Sequence, residues 1–180
     1  VATDVDGGSS DNCGVASLNI CPGTEGFTGD FAPANWTFDN GGGTGTVDIS
    51  GAPNTIEITG SNGGTLLPVQ TTYCITVPSS GMISFSWDYE TFDFDGPSFD
   101  PFLYSVNGTP YQLTFNGGAD VQNGMTSVSV AANDQFCFVI NSTDDQLGAA
   151  VTLTSMFSFD NPSGLCNFTC SEIGQNDVIL

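Results

Sequence analysis

Three aspartates lie close together in the segment DFDGPSFDP, residues 93–101, and their carboxylates are the side chains best placed to do chemistry. They are Asp93, Asp95 and Asp100, and the Gly-Pro pair between them predicts a turn that lets the flanking acids converge. The chain contains no Lys, Arg or His, so no side chain can form an ion pair with them. Each carboxylate must therefore be solvated, hydrogen-bonded to backbone N–H groups, protonated, or bound to a metal ion.

Calcium is the metal ion that suits this segment, because it binds about six to eight hard oxygens from carboxylates, carbonyls and water. Just upstream, Asp88 and Glu90 share one strand face by the two-residue period of a β-strand. Without a cation, carboxylates this close repel each other and their pKa values rise. The segment is not an EF-hand, since no helices flank it and Tyr104 stands where the loop would need its last Glu. A solvated turn capped by backbone N–H groups and a set of catalytic carboxylates stay open as alternatives.

The charge balance of the chain argues against two classes of partner. The 180 residues include 20 Asp and Glu and carry a formal net charge of −20. Nucleic acids and anionic membrane surfaces both need basic patches, so we expect neither as a partner. Hydrophobic residues make up 39% of the chain and there are 14 Phe, which is enough to build a core and unlike a disordered acidic tail. No segment approaches the ~18 uninterrupted apolar residues of a membrane span, so we expect no membrane insertion.

Apolar and polar residues alternate with a period of two along most of the chain, which predicts β-strands, while helix patterns are nearly absent. Turns rich in Gly, Asn, Asp and Pro separate the alternating segments. Many short strands at this spacing predict an all-β protein built as an antiparallel β-sandwich or jelly roll. The predicted strands are 45–50, 55–60, 72–77, 82–90, 110–115, 125–131, 135–141 and 150–159.

The two ends of the chain carry a motif of their own. A DNCG-x-AS segment near the start and an FTC-x-x-x-G-x-N-x-V-x-L segment at the finish resemble the hyalin-repeat and immunoglobulin-like modules of large secreted bacterial surface proteins. The matching residues are Asp11, Cys13, Gly14, Ala16, Ser17, Phe168, Cys170, Gly174, Asn176, Val178 and Leu180. In those modules the two halves lie close together, whereas here about 147 residues separate them. The resemblance implies a partial immunoglobulin-like β-sandwich formed by residues 1–21 and 166–180, into which a domain of residues 22–165 is inserted.

The insert has a likeness of its own. The run SFSWDYETFDFDGPSFDPFLYSVNGTPYQLT and the later NSTDDQLGAAVTLTSMFSF resemble a module of bacterial surface proteins, and their order is similar to that of CUB-type jelly rolls. In CUB-type domains an acidic strand, an aspartate before a Tyr-rich strand and a later acidic loop meet at one end and often hold calcium. The resemblance therefore implies a calcium site with the ligands Asp93, Asp95, Asp100, Glu90, Asp144 and Asp145.

The six cysteines indicate disulfides and an oxidising, extracellular compartment, with six reduced thiols in a cytosolic protein as the alternative. With no His and with these spacings, a zinc site is not expected. If the chain is an insertion, as the resemblance implies, the cysteines nest, and each bridge would contribute on the order of 2–4 kcal/mol. Different pairings of the same six cysteines stay open. The predicted bridges are Cys13–Cys170, Cys21–Cys166 and Cys74–Cys137.

Enzyme chemistry has few residues to work with. No His or Lys can serve as a base and no Arg can bind an oxyanion, so we expect no enzyme. A glycosidase pair is still conceivable among Glu90, Asp93, Asp95 and Asp100, although nothing selects one. Tyr104 and Tyr111, near a predicted turn, are the candidates for an exposed ligand-binding face.

The sequence thus predicts a non-enzymatic extracellular or cell-surface module that is structural and adhesive and is stiffened by disulfides and calcium. We expect it to be a repeat or subunit of a large surface adhesin or filament, with neighbouring repeats of the same protein as partners. The alternatives are a calcium-dependent carbohydrate-binding module that recognises surface glycans and, less well supported, a glycoside hydrolase that uses an acidic pair.

Overall fold

A computed structural model describes residues 23–161, which form one compact unit, Gly23–Asn161. The predicted host module, residues 1–21 and 166–180, lies outside the described residues. The same is true of the outer limits of the predicted insert and of Cys13, Cys21, Cys166 and Cys170.

The described residues form eleven β-strands and two short 3-10 helices, Gly29–Phe31 and Pro33–Asn35. All strand pairings are antiparallel and divide the strands between two sheets. The first sheet has the order β3-β4-β11-β6-β9, with β1 added on β11, and the second has the order β2-β5-β10-β7-β8. The strands are β1 (Thr24–Glu25), β2 (Thr37–Asp39), β3 (Thr46–Asp48), β4 (Thr55–Thr59), β5 (Val69–Thr76), β6 (Gly81–Thr91), β7 (Phe102–Val106), β8 (Thr109–Gln112), β9 (Val121–Val130), β10 (Gln135–Ser142) and β11 (Ala150–Asp160).

The strand order confirms the predicted antiparallel β-sandwich and adds its topology. From β4 onward the chain alternates between the sheets except at the β7–β8 hairpin, so strands distant in sequence become neighbours. Eight strands arranged as β4-β11-β6-β9 over β5-β10-β7-β8 form the two Greek keys of a jelly roll. Among the described residues, no helix is long and apolar enough to cross a membrane.

The core lies between the sheets and is rich in aromatic side chains. Strand β6 shows why the sequence folds this way: Phe85, Trp87 and Tyr89 point inward and are buried, while Asp88 and Glu90 point outward. This alternation buries every second side chain of a long strand and leaves the charged ones in water. Trp36, which follows the second 3-10 helix, is also buried, since it stacks on aromatic side chains of β5 and β10.

Three strands lie outside the sequence prediction. Two of them, β1 and β2, are only two and three residues long and give no measurable period. The third, β7, reads Phe-Leu-Tyr-Ser-Val and lacks a clean polar–apolar alternation, because its outward face contributes Leu103 and Ser105 to a partly covered surface. Strand β8 is shorter than predicted and ends at Gln112.

The two ends of the sandwich have different roles. Gly23 precedes β1, and β1 pairs with the last residues of β11. The chain therefore enters and leaves the described unit at the same end. We name the opposite end the loop end. The strand registers bring five connections together there: 40–45, 60–68, 92–101, 113–120 and 143–149.

Candidate functional site

The predicted acidic segment forms the connection between β6 and β7 at the loop end. Asp93 and Asp100 are buried, with 5% and 1% of their surface exposed, whereas Asp95 is exposed. The Asp95 N–H donates to Asp93 Oδ1 at 2.7 Å, and the Gly96 N–H donates to the Asp93 carbonyl at 3.1 Å. Gly96 has a φ of +87°, which favours glycine, so the predicted turn is present and directs two of the three aspartates inward.

Asp93 and Asp100 each retain one oxygen without a partner. Oδ2 of both residues is buried and accepts no hydrogen bond within the described part of the chain. Burial raises the pKa of Asp93, and the nearby charge of Asp144 adds to the effect. Burial also raises the pKa of Asp100 to about 7, although hydrogen bonds from the Ser142 side chain and the Ala150 backbone oppose it. Buried carboxylate oxygens without partners are uncommon in folded proteins, so we expect a proton, a water molecule or a cation to satisfy these two.

The later acidic loop, 143–149, separates its two aspartates. Asp145 is fully buried and accepts hydrogen bonds from the Gly63 N–H (2.8 Å), the Thr65 N–H (3.0 Å) and the Thr65 hydroxyl (2.7 Å). Burial acts to raise the pKa of Asp145, but these donors and Ser61 hold it at about 2. Its oxygens are therefore engaged in joining two loops. Asp144 is only partly buried and lies close enough to raise the pKa values of Asp93 and Asp100.

The six predicted calcium ligands thus do not form one cluster, and Asp145 is set apart by its hydrogen bonds to the 60–68 connection. Asp93, Asp100 and Asp144 influence one another electrostatically at the loop end, and Asp95 adjoins Asp93. Glu90 instead lies with Asp88 on the exposed outer face of the first sheet. Within residues 23–161 the structure contains no group of three or more His, Cys, Asp or Glu side chains positioned to hold a metal ion. Calcium therefore stays a prediction.

A groove of about 750 Å³ crosses the outer face of the second sheet, and the sequence analysis did not find it. Its floor contains Cys74 and Cys137, which face each other across β5 and β10 and form a disulfide, the pair that the sequence predicted. The only hint in the sequence is β5, whose outward positions are all Gln, Thr or Cys. Polar and apolar side chains both line its walls. The polar ones are Asp30, Asn35, Thr37, Asp39, Gln70, Thr72, Thr76, Ser105 and Gln135, and the apolar ones are Ile75, Pro78, Leu103, Pro110 and Val139.

The acids considered for a glycosidase pair are not part of this groove. Neither Glu90 nor any of the three aspartates of the 92–101 connection lines it. Two of those aspartates are buried and one is exposed at the loop end, so they do not form an open pair. Two other carboxylates, Asp30 and Asp39, belong to the groove wall.

The two candidate tyrosines stack on each other at the edge of the sandwich. Their ring centroids are 4.9 Å apart with an interplanar angle of 12°. Tyr104 also stacks on Phe136 of the core and is half-buried, whereas Tyr111 on β8 is 46% exposed. Because Tyr104 belongs largely to the core, Tyr111 is the one of these two tyrosines that offers a substantial aromatic surface to a ligand.

No protein-family model matches the chain, and no curated protein matches it. Solved structures with a similar arrangement include the secreted serine protease VesC from Vibrio cholerae (TM-score 0.41, 17% identity, 71% of this chain); the chain spans about 25% of that protein. Others are the K1 cleaved adhesin domain of Lys-gingipain from Porphyromonas gingivalis (TM-score 0.46, 11% identity, 73% of this chain and 93% of that one). A CBM4 structure is also similar (TM-score 0.41, 12% identity, 76% and 95%). Because these TM-scores lie below 0.5 and these identities below 25%, we take no function or ligand from the similarities.

Proposed function

We propose that the chain is a non-enzymatic extracellular module with an adhesive and structural role, a repeat or subunit of a large surface adhesin or filament. One observation carries the proposal: the chain enters and leaves the sandwich at one end, while five loops gather at the other. This arrangement suits a domain that is held by its base and presents a surface at its tip. Neighbouring repeats of the same protein would be partners at the base.

Because the chain has no Lys, Arg or His, no pair of side chains can form a salt bridge, and other contacts must stiffen the module. The Cys74–Cys137 bridge joins two central strands of the second sheet. Asp145 fastens the 143–149 connection to the 60–68 connection through three hydrogen bonds. The Asp145 hydrogen bonds fix the loop end, and the disulfide stiffens β5 and β10 nearer the other end of the sandwich, which suits a module under tension.

Calcium is the second part of the proposal. The unpartnered buried Oδ2 atoms of Asp93 and Asp100 are oxygens of the kind that binds a hard cation, and the carboxylate of Asp144 is near enough to raise the pKa of both residues. Asp145 does not fit, because donors already occupy its oxygens. A bound calcium ion would neutralise the buried carboxylates and fix the two acidic loops together.

Carbohydrate binding is the second candidate function, and the groove favours it. Amide and hydroxyl side chains on its walls can exchange hydrogen bonds with sugar hydroxyls, and the chain has no cation to attract an anionic glycan. We therefore expect a neutral glycan. A Gln70→Ala/Gln135→Ala variant should lose glycan binding while its unfolding transition stays unchanged, because both side chains are exposed.

Retention of coated beads under flow tests the adhesive function. Beads that carry the folded chain are passed over printed arrays of neutral glycans and of purified secreted proteins. Beads with the reduced and unfolded chain serve as the control. We expect retention that needs the folded chain and leaves the bound target unchanged in mass. Equal retention of both bead types, or cleavage of a retained target, would overturn the proposal.

A further inference from the structure

Large apolar side chains are concentrated on the loop end. Six of them are between 52% and 87% exposed, and they lie in four of the five connections. Outside the strands, the only other exposed large apolar side chain among residues 23–161 is Ile49. Exposed apolar surface gathered in one place commonly marks an interaction site. We name these six residues the apolar tip: Leu66, Leu67, Phe92, Phe94, Phe115 and Leu147.

Hydrogen bonds join the loops that carry the apolar tip. The Phe92 N–H donates to the Ala149 carbonyl at 3.1 Å, and the Phe94 N–H donates to the Leu147 carbonyl at 3.2 Å. The Phe115 N–H donates to Gln122 Oε1 at 2.7 Å, which fixes the 113–120 connection against β9. The apolar side chains are therefore displayed on a connected backbone.

Two residues of the apolar tip adopt a backbone conformation that disfavours them. Leu66 has a φ of 61° and Leu147 a φ of 64°, in the left-handed region where Gly and Asn are preferred. Neither leucine is buried, since they are 63% and 52% exposed. Leucine at these two positions is therefore explained neither by burial in the described unit nor by the preference of the local backbone. Contact with a partner would explain it.

The charge around the apolar tip selects the kind of partner. Asp95 and Asp120 are exposed beside it, and Asp144 is partly exposed. No Lys, Arg or His exists anywhere in the chain to pair with them, and the net charge is −20. A second copy of the chain could not supply a cation, and an anionic lipid surface would be repelled.

We propose that the apolar tip docks onto a protein surface that presents Lys or Arg around an apolar centre. The inference rests on the proposed adhesive function and names the class of its partner. Apolar side chains of the partner would cover the exposed Phe rings and Leu methyl groups, and cationic side chains of the partner would pair with the surrounding carboxylates. Such an interface combines a desolvated apolar centre with a charged rim.

A synthetic peptide of alternating Leu and Lys is the probe, and fluorescence anisotropy with the whole chain measures its binding. One control peptide replaces Leu by Ser, and another replaces Lys by Glu. The test variant is Phe94→Ser/Leu147→Asn, which removes apolar surface while Asn suits the left-handed backbone at position 147. The matched control is Met82→Ser/Met125→Ser, which removes side chains 42% and 67% exposed on the first sheet.

We expect the Leu-Lys peptide to bind, with binding about tenfold weaker or more in the Phe94→Ser/Leu147→Asn variant and changed by less than about twofold in the methionine control. Both control peptides should bind more weakly than the probe. Equal binding of the Ser-Lys peptide would mean attraction by charge alone and would overturn the inference. So would equal losses in the two variants, or tip-dependent binding to phosphatidylcholine vesicles but not to the peptide. Bead retention that survives while the peptide result fails would leave the adhesive function standing without this partner class.

Discussion

Replacing Asp100 by Asn should stabilise the protein at pH 8 when calcium is removed by a chelator. Asp100 is 1% exposed, and burial raises its pKa to about 7 in the folded protein. In the unfolded chain its pKa is about 3.9. The folded state therefore holds the Asp100 proton more tightly than the unfolded state does, so ionisation of Asp100 opposes folding as the pH rises from about 4 to about 7. Asparagine has a similar shape and does not ionise.

The magnitude follows from the pKa difference. A difference of about 3 between folded and unfolded states corresponds to about 4 kcal/mol of unfolding free energy at pH 8. Asp100 lies at the loop end, where nearby water screens its charge, so we expect about half of this, a gain of ~2 kcal/mol for Asp100→Asn. At pH 4 the gain should vanish, because Asp100 is then largely protonated in the folded protein.

Urea unfolding at pH 4 and pH 8 measures this difference, and the buried Trp36 and Trp87 provide the fluorescence signal. The control is Asp88→Asn, which removes the same charge from the exposed face of β6 and should change stability by less than ~0.5 kcal/mol. A gain in both variants would assign the effect to net charge instead of burial. If Asp100→Asn were less stable than the parent at pH 8 in chelator, the reasoning would be refuted.

Calcium should reverse the order of stability. A ligand present at about 100 times its Kd stabilises the folded state by about 2.7 kcal/mol. The parent protein should gain this amount from calcium, and Asp100→Asn should lose most of the gain, since it removes a proposed ligand. If calcium stabilised both proteins equally, Asp100 would not be a ligand. If it stabilised neither, the calcium proposal would fail.

Three further predictions concern other residues. Asp145→Ala should lower the unfolding free energy by about 2–4 kcal/mol in urea unfolding at pH 7, because it removes three hydrogen bonds by which a buried carboxylate joins two loops, whereas Asp144→Ala should cost less than ~1 kcal/mol. A Cys74→Ala/Cys137→Ala variant should lose about 4 kcal/mol, since the bridge closes a loop with a sequence separation of 63, and an unchanged denaturation midpoint would contradict this. Leu147→Asn should increase the unfolding free energy by about 1 kcal/mol and so raise the melting temperature slightly, because it relieves an unfavourable φ of 64°. A lower melting temperature would show that the Leu147 side chain is packed.

The sequence predicts the parts of the fold in which one face of a strand meets water. Strand β6 alternates over its eleven residues, and its predicted limits lie within one residue of the observed ones at both ends. The limits of β11 were predicted equally well, although a register shift between Ser155 and Ser158 interrupts its alternation. Strand β7 was missed because its outward residues, Leu103 and Ser105, line the groove on the outer face of the second sheet and do not give a clear polar face. A local sequence pattern cannot predict the order of the strands, because that order depends on pairings between distant segments, such as β4 with β11.

The candidate site was predicted as a region but not atom by atom. The Gly-Pro turn identifies the loop, yet the sequence does not distinguish buried Asp93 from exposed Asp95, because two residues of the same type differ only in the direction the turn gives them. Asp144 and Asp145 are adjacent, and only the distant Gly63 and Thr65 N–H groups decide that Asp145 is a structural residue. The groove and the apolar tip were missed for the same reason: each is assembled from segments far apart in sequence.

A chain without cations leaves its carboxylates in water or satisfies them through hydrogen-bond donors, and the buried carboxylates that have neither identify the site. Asp39, Asp48 and Asp134 each accept a backbone N–H two or three residues away, so acidity at these turns supports local structure. The same pattern accounts for only one oxygen of Asp93. Asp100 is more buried still, and its Oδ2 accepts no hydrogen bond from the described residues. Since folding alone gives no reason to bury these two oxygens without partners, a ligand or a proton at Asp93 and Asp100 is the explanation that the rest of the acidic side chains do not require.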